Sequence, residues 1–564
     1  MNAETLDAVY REGIRNFPRP DRFLQKTDGA WRAISTAEFD RRVRACAAAL
    51  AGAGIGPGDR VAILSYNRVE WAVVDWACQL LGAADVPIYT TLPEEPVNYI
   101  LRDSGARAVF VENAEQAAKV KAGPPVVSFD PAPGVEPFEA FLGRAAGDPP
   151  EARVSPEDLA TLIYTSGTTG VPKGVMLTHR NLVSNLKAAC APLDLGPGDV
   201  ALSFLPLSHI FERILDYAYF AHGAQIAYAE HIDRVSDNLL EVRPTVMGAV
   251  PRFYEKVYAR IREAVAALPP WRRRLFEWAR RVGAEEAALR RRGRPVPLGL
   301  RLRFALARRL VLRKFAARVG GRMRYFISGG APLPPDVAEY LFSLGFTILE
   351  GYGLTETSPV LTLNRPGDIK LGTVGKPLDG VEIRIAPDGE ILARGPNIMK
   401  GYHNKPAETA EVLRDGWFAT GDIGEFDEEG FLKITDRKKD LLKTAGGKYV
   451  APQPIENRLK LHRAILNAVV VGDRRRFPAA LIVPAPGATR EEIQEAVDEV
   501  NRSLAPFEKI KKFALLDRDF TIEGGEVTPT LKVRRRIVEE RHRAVIDALY
   551  AEEPPAPPRH GLYS

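Results

Sequence analysis

Residues 164–174 read YTSGTTGVPKG. Glycines Gly167 and Gly170, hydroxyls from Thr165, Ser166, Thr168 and Thr169, and the single cation of Lys173 crowd into one short run. The run leaves the apolar stretch LATLIYTS (159–166), which its β-branched content predicts to be a strand. Backbone N–H groups of a glycine-rich turn at a strand end can converge on an anion, so the chemistry on offer is phosphate binding. The common phosphate loop, G-x-x-x-x-G-K-[ST], is excluded. Five places past Gly167 stands Pro172, and the Gly-Lys pairs Gly375-Lys376 and Gly447-Lys448 are followed by Pro377 and Tyr449. Alone, the run reads better as a polar surface loop. Other stretches decide between the two.

GYGLTETSP (351–359) sets glycines around Tyr352 and follows with Thr355 and Glu356. An aromatic ring between glycines can stack on a base. One carboxylate just past such a turn can hold Mg²⁺ against phosphate oxygens, since Mg²⁺ there takes only one or two protein carboxylates. The competing role for Glu356 is an acid at a helix N-terminus. In DGWFATGDIGEFDEEGFLKITDRKKDLLKT (415–444), Asp422 can accept two hydrogen bonds from a ribose, although turns commonly carry aspartate for structural reasons. GGEVTPTLKVRRR (524–536) presents Lys532; Arg534, Arg535 and Arg536 behind it read as a solvated basic face.

Elements able to position these groups follow from the pattern. RVAILSYN (60–67), RAVFVE (107–112) and RYFISGGAPLP (324–334) read as strands, and THRNLVSNLKAAC (178–190) opens a helix. Alternating helix and strand predicts an α/β fold with mainly parallel sheets. VEIRIAPDGEILARG (381–395) alternates about Pro387-Asp388-Gly389 like a hairpin. Residues 251–320 are helical in composition. WAVVDWACQLLGAADVPI (71–88) is apolar, but Asp75, Gln79 and Asp85 interrupt it, which predicts a buried helix and strand instead of a membrane span.

At 564 residues the chain exceeds one hydrophobic core. The start MNAETLDAVYREG has neither the basic nor the apolar region of a secretory signal. Cys46, Cys78 and Cys190 are too scattered for a metal site or a disulfide framework, which favours a reducing cytoplasm. The net charge of +6 conceals an asymmetry: from Trp271 to Arg324, 18 basic residues meet 3 acidic ones. No aromatic-interleaved platform for nucleic acid accompanies them. Leu275, Phe276, Val282 and Leu289, then Leu302, Leu306 and Leu310, recur at near-helical spacing. The segment reads either as a surface for anionic membrane or as core-packed helices with solvated arginines.

Taken in order, YTSGTTGVPKG, GYGLTET, ATGD, DRKKD and TPTLKVRRR resemble the signature motifs of the adenylate-forming superfamily, which holds acyl-CoA synthetases, luciferases and peptide-synthetase adenylation domains. The match runs from about residue 20 to 545. FLPLSHIFERI (204–214), AVPRFYEKVYARI (249–261) and the basic insert at 271–320 are similar to the long-chain fatty acyl-CoA synthetase branch.

The resemblance implies a large N-terminal α/β domain (1–436) and a smaller mobile C-terminal α+β lid (437–550); the proline-rich run EEPPAPPRHGLYS (552–564) predicts a disordered tail over 551–564. The resemblance also implies ATP, Mg²⁺ and CoA as reaction partners. The loop from Thr165 to Lys173 would hold the β- and γ-phosphates, Glu356 the Mg²⁺, and Thr355 would stand beside the α-phosphate. Gly330, Ala331 and Tyr352 match the adenine pocket, Asp422 and Arg437 the ribose pair, and Lys532 the lysine that bridges carboxylate and α-phosphate. Lys439 matches the hinge, with a lysine where an acid is usual, and Gly446, Gly447 and Lys448 match the loop lining the CoA channel. His209 falls near the acyl substrate, where a structural role is equally open. Thr530-Leu531 replace the Ser-Gly that often precedes the lysine.

The activity so implied is long-chain fatty acid–CoA ligation through acyl-AMP, in the cytoplasm, with peripheral association at the inner membrane face. Alternatives are an acyl-AMP ligase loading a carrier protein, a CoA ligase for an aryl or shorter acid, and a non-catalytic acyl or nucleotide sensor. The sensor requires lost catalytic residues, yet Lys173, Glu356, Asp422 and Lys532 are all in place.

Overall fold

The computed structural model describes the chain except Met1, Ala122, Lys439 and residues 166–170, 446–447, 522–523, 528–532 and 552–564. Of the expected site residues, Ser166, Gly167, Thr168, Thr169, Gly170, Lys439, Gly446, Gly447 and Lys532 lie outside the described residues, as does the tail from 552. Contacts divide the chain into two units: Met1–Thr420 with Glu425–Ile434, and Gly421–Gly424 with Thr435–Ser564. The architecture is the mixed α/β one expected, a large N-terminal unit and a smaller C-terminal one.

The first unit holds two large sheets. In the eight-stranded sheet, Arg60–Leu64, Ala84–Ile88, Ala108–Val111 and Leu159–Thr165 run parallel. The nine-stranded sheet has a parallel centre that includes Val200–Ser203, Val246–Ala249, Tyr325–Ser328 and the start of Ile348–Gly353. Its far edge is the antiparallel pair Phe23–Thr27 and Ala30–Ile34, which joins Gln225–Tyr228. Antiparallel strands thus sit only at the margins of both sheets, where no helical crossover is needed. A small antiparallel sheet containing the hairpin Glu382–Ile385 and Glu390–Arg394 follows.

The apolar stretch at 71–88 is a buried helix, Val69–Leu81, and a buried strand, Ala84–Ile88. The polar residues that interrupt it have a shared purpose. Arg213, from the helix Ile210–Ala221 beside the other large sheet, donates to Asp85 (Nη1–Oδ2, 2.6 Å) and also binds Asp75. Gln79 donates to Asp75 Oδ1 at 3.2 Å. All are buried. A buried cation of this kind is tolerated only where carboxylates and hydrogen bonds surround it, so the two sheets are joined by one buried polar knot. No helix of the described residues is long and apolar enough to cross a membrane.

Within 271–320, the first part packs inward. The helix Pro270–Arg291 buries Phe276, Ala279, Val282 and Gly283. A Cβ at Gly283 would lie 1.9 Å from the Ser343 carbonyl oxygen, so only glycine lets this helix close on Pro335–Ser343. The second part differs: Leu302, Leu306 and Leu310 are exposed.

The second unit is built on a three-stranded sheet, Ile465–Val471, Ala479–Pro484 and Lys512–Leu515. Alternation in NAVVV (467–471) sends Ala468 and Val470 to a core with Ile455, Leu459, Ile493 and Val497. Val469 and Val471 face Phe520, Val538 and Ile546 on the other side. Helices thus cover both faces. Arg535 corrects the expected solvated face: it is largely buried, ion-paired with Glu456 at 2.7 Å and bound to the Val470 carbonyl. Arg536 is exposed and pairs with Glu540.

Candidate active site

Four expected stretches emerge at one edge of the nine-stranded sheet. The turn bearing His209 follows Val200–Ser203, and Val250-Pro251 follows Val246–Ala249. Gly330 and Ala331 follow Tyr325–Ser328, and Tyr352 ends the neighbouring strand. The last rung between those two strands is Ser328↔Glu350, so the adenine-pocket candidates lie just beyond it. The carboxyl ends of parallel strands are where open α/β sheets take their ligands.

Each group is held by local interactions. Gly330 has φ +83°, a value that side chains rarely adopt, and it turns the chain sharply after the strand. Glu350 Oε1 accepts the Leu333 N–H at 3.2 Å, which ties this loop back to the adjacent strand. Burial pushes the Glu350 carboxyl up to about 8, so it stays protonated at neutral pH. The Tyr352 ring packs against Val374, Ile391 and Leu432. Gly353 permits the next turn: a Cβ there would lie 1.7 Å from the Pro359 carbonyl oxygen.

Thr355 and Glu356 occupy a single 3₁₀ turn, Thr355–Thr357, and both are half-buried. Two asparagines support the turn from outside. Asn397 Nδ2 donates to the Thr357 carbonyl at 2.8 Å. Asn185 pairs with Val360 in both directions, at 2.6 and 3.0 Å. The Met399 N–H donates to the Glu356 carbonyl at 2.8 Å, and the chain then forms the strand Gly401–Tyr402. That strand pairs with Lys173–Thr178, Tyr402 opposite Val175.

Lys173–Thr178 is a strand absent from the sequence reading. It runs antiparallel to Leu159–Thr165, with Thr165 opposite Lys173, so the two ends of the glycine-rich run are clamped together. The helix His179–Cys190 begins directly behind it. Thr178 Oγ1 caps the Asn181 N–H, and Asn181 Oδ1 accepts from the Thr178 N–H. Asn181 Nδ2 also donates to the Pro396 and Ile398 carbonyls at 2.8 Å.

These supports bring Lys173 and Glu356 to either side of Tyr402. The Tyr402 hydroxyl donates to Glu356 Oε1 at 2.8 Å, and the Lys173 ammonium sits 5.1 Å from the centre of its ring. Burial, reinforced by the Glu356 carboxylate, holds the Tyr402 hydroxyl far above the ordinary phenol range, so it is a permanent donor. Among the described residues no group of three or more His, Cys, Asp or Glu gathers around a metal position. A single oriented carboxylate suits Mg²⁺ in the company of phosphate oxygens.

His209 has a structural task. Its Nδ1 accepts the Phe211 N–H at 3.1 Å, capping the helix Ile210–Ala221. In the second unit, Arg437 Nε lies 3.0 Å from Asp422 Oδ1, so the expected ribose pair is in contact. Asp422 is buried and Arg437 about half exposed. Lys448 is exposed and closes a hairpin: its N–H donates to Thr444 Oγ1 at 3.3 Å and its carbonyl accepts the Thr444 N–H at 2.9 Å. On either side of the segment bearing Lys532, Val527 bridges Val533. Sequence reasoning missed Tyr402, Glu350, Asn181, Asn185 and Asn397. Only Tyr402 carries a signal, the Gly-aromatic-His run GYHNKP (401–406).

A two-unit α/β scaffold of this kind is the property of a known class. The AMP-binding enzyme model matches residues 12–403 and the AMP-binding enzyme C-terminal domain model matches 439–554; the chain belongs to the AMP-binding enzyme family. It is 40% identical to the long-chain-fatty-acid–CoA ligase FadD15 of Mycobacterium bovis, across 98% of each chain. Among solved structures it is similar to the adenylation domain of a carboxylate reductase from Mycobacterium chelonae (24% identity, TM-score 0.81, 97% of this chain and 91% of that one). It is also similar to O-succinylbenzoate CoA synthetase from Bacillus subtilis, solved with ATP and magnesium ion (24% identity, TM-score 0.70, 94% and 98%).

Proposed function

We propose that the chain is an AMP-forming long-chain fatty acid–CoA ligase. The observation that carries the reading is the 40% identity, over 98% of both chains, with a relative named for that reaction. The geometry around Lys173, Tyr402 and Glu356 supports its nucleotide half.

In the first step a carboxylate oxygen of the acid attacks the α-phosphorus of ATP. The bond to the β-phosphate oxygen breaks and pyrophosphate leaves with the electron pair. In the second, the CoA sulfur attacks the acyl carbon, the thiol proton is lost, and AMP departs. Negative charge gathers at phosphate in the first step, which calls for fixed donors and cations. Lys173 and the loop from Thr165 are assigned to the β- and γ-phosphates, and Thr355 to the α-phosphate. Gly330, Ala331 and Tyr352 are assigned to adenine, and Asp422 with Arg437 to ribose. Glu356, oriented by Tyr402, would hold Mg²⁺, which supplies charge neutralisation on the phosphates. Lys532 is assigned to adenylation, with Lys439 as the hinge on which the lid from about 437 to 550 exchanges it for the CoA-channel loop at Gly446, Gly447 and Lys448. The capping bond of His209 supports a structural role over a catalytic one.

We assign the activity to the cytoplasm, with peripheral association at a membrane. Cys46, Cys78 and Cys190 are free and buried, which suits a reducing compartment. The test is to follow AMP and acyl products over a fatty-acid chain-length series, with and without CoA. The expected result is acyl-CoA, with AMP, from long-chain acids. Release of acyl-AMP as the final product, or best turnover on aryl or short acids, would overturn the assignment.

A further inference from the structure

The helix Leu298–Ala307 and the π-helical turn Arg308–Leu312 that prolongs it carry two adjacent faces of opposite chemistry. Leu298, Leu302, Leu306 and Leu310 recur every four residues and are 74, 73, 50 and 45% exposed. Single exposed leucines are ordinary, but a stripe along one helix is not. Beside it, Arg301, Arg308, Arg309 and Arg313 line, with Arg243 and Phe304, a cleft of about 1080 Å³. The one carboxylate in that lining, Glu286, is already bound by Arg290 at 3.3 Å.

No Asp or Glu occurs between Glu286 and Asp336. Among the described residues Arg301, Arg308, Arg309 and Arg313 make no ion pair. A cationic cleft flanked by an apolar stripe needs a partner with anions and hydrocarbon at neighbouring depths. Nucleic acid supplies the phosphates but no apolar layer for the leucines. A second copy would cover the leucines only by bringing arginines against arginines. An anionic bilayer supplies both, in the right order of depth.

We propose that this surface docks the protein on a bilayer containing anionic phospholipid. The leucines enter the boundary between headgroups and acyl chains, and the cleft arginines bind lipid phosphates. The inference rests on the ligase reading only for its purpose, access to long-chain acids that partition into the bilayer. Its test reads binding without turnover, so either can fail alone.

The experiment is flotation of the full chain with phosphatidylcholine vesicles, with and without phosphatidylglycerol. Compared with the parent are Leu302→Gln/Leu306→Gln and Arg301→Gln/Arg308→Gln, surface changes whose folding is checked by thermal unfolding. The parent is expected to float only with anionic vesicles, less so as salt rises. The leucine variant should lose roughly tenfold or more in partitioning, and the arginine variant roughly fivefold per charge removed. Equal recovery with and without phosphatidylglycerol would overturn the proposal. So would an unimpaired leucine variant, which would mark mere charge adsorption. A third contrary result is displacement of the vesicles by inorganic phosphate but not by chloride at matched ionic strength, which would mark a free-phosphate site.

Discussion

The Tyr402 hydroxyl donates to Glu356 Oε1 at 2.8 Å while its own ring lies 5.1 Å from the Lys173 ammonium. One buried aromatic side chain therefore fixes both the carboxylate assigned to Mg²⁺ and the cation assigned to phosphate. Tyr402→Phe keeps the ring and removes only the donor. A charge-assisted hydrogen bond of this kind is worth roughly 1.5–3 kcal/mol. The expected result is a roughly tenfold rise in the Mg²⁺ concentration for half-maximal AMP formation, with the fold intact. Glu356→Gln should lose activity that added Mg²⁺ does not restore. A Tyr402→Phe enzyme with unchanged Mg²⁺ dependence would reduce the contact to packing.

Lys532→Ala should separate the two half-reactions. Removing a cation that meets charge in the adenylation transition state costs a factor of roughly 10²–10³. Thioester formation from supplied acyl-adenylate and CoA should persist if, as proposed, the lysine leaves the site before that step. An equal fall in both half-reactions would remove the case for alternating use of the lid.

Glu350 sets a pH dependence. Its carboxyl titrates at 4.5 in an exposed setting and is pushed up to about 8 by burial. Between those values the folded chain keeps a proton that the unfolded chain has released. Stability therefore declines as pH rises from about 4.5 to about 8, by up to about 1.4 kcal/mol per unit. Glu350→Gln fixes the uncharged state. Its urea midpoint should gain on that of the parent across this window and run parallel to it above about pH 8. Curves parallel throughout would show that Glu350 ionises as freely in the fold as out of it.

Gly283→Ala should destabilise the first unit by roughly 3 kcal/mol. The added methyl meets the Ser343 carbonyl oxygen at 1.9 Å, and backbone cannot rotate away as a side chain would. Thermal unfolding would show the loss; an unchanged midpoint would mean that the helix Pro270–Arg291 can shift outward without cost.

The parallel strands and the buried helix at 69–81 were legible because β-branched runs and their polar interruptions report burial directly. Asp75, Gln79 and Asp85 marked a buried helix and strand correctly, but their partner Arg213 lies far along the chain and no local spacing points to it. The strand Lys173–Thr178 was hidden because its register comes from Leu159–Thr165 and Gly401–Tyr402, one of them remote. Tyr402 was missed for the same reason. Arg535 read as solvated because a triple-arginine run looks like surface until Glu456 is placed opposite. Local pattern thus found the groups with unusual composition, and tertiary pairing supplied those that orient them.

The hairpin Phe23–Ile34 has a consequence for synthesis. Phe23 is fully buried, paired with Ile226, so its partner strand leaves the ribosome about 200 residues later. At roughly 5–20 residues per second that is a wait of about 10–40 s. Throughout it the strand Phe23–Thr27 has only its hairpin partner Ala30–Ile34, and its other edge stays open to aggregation or to a holding chaperone. Nascent chains halted before Tyr228 cannot close this edge, whatever else they have folded. The arrival of Gln225–Tyr228, the parallel neighbour of Phe23–Thr27, thus sets the shortest N-terminal fragment able to complete the sheet around Phe23.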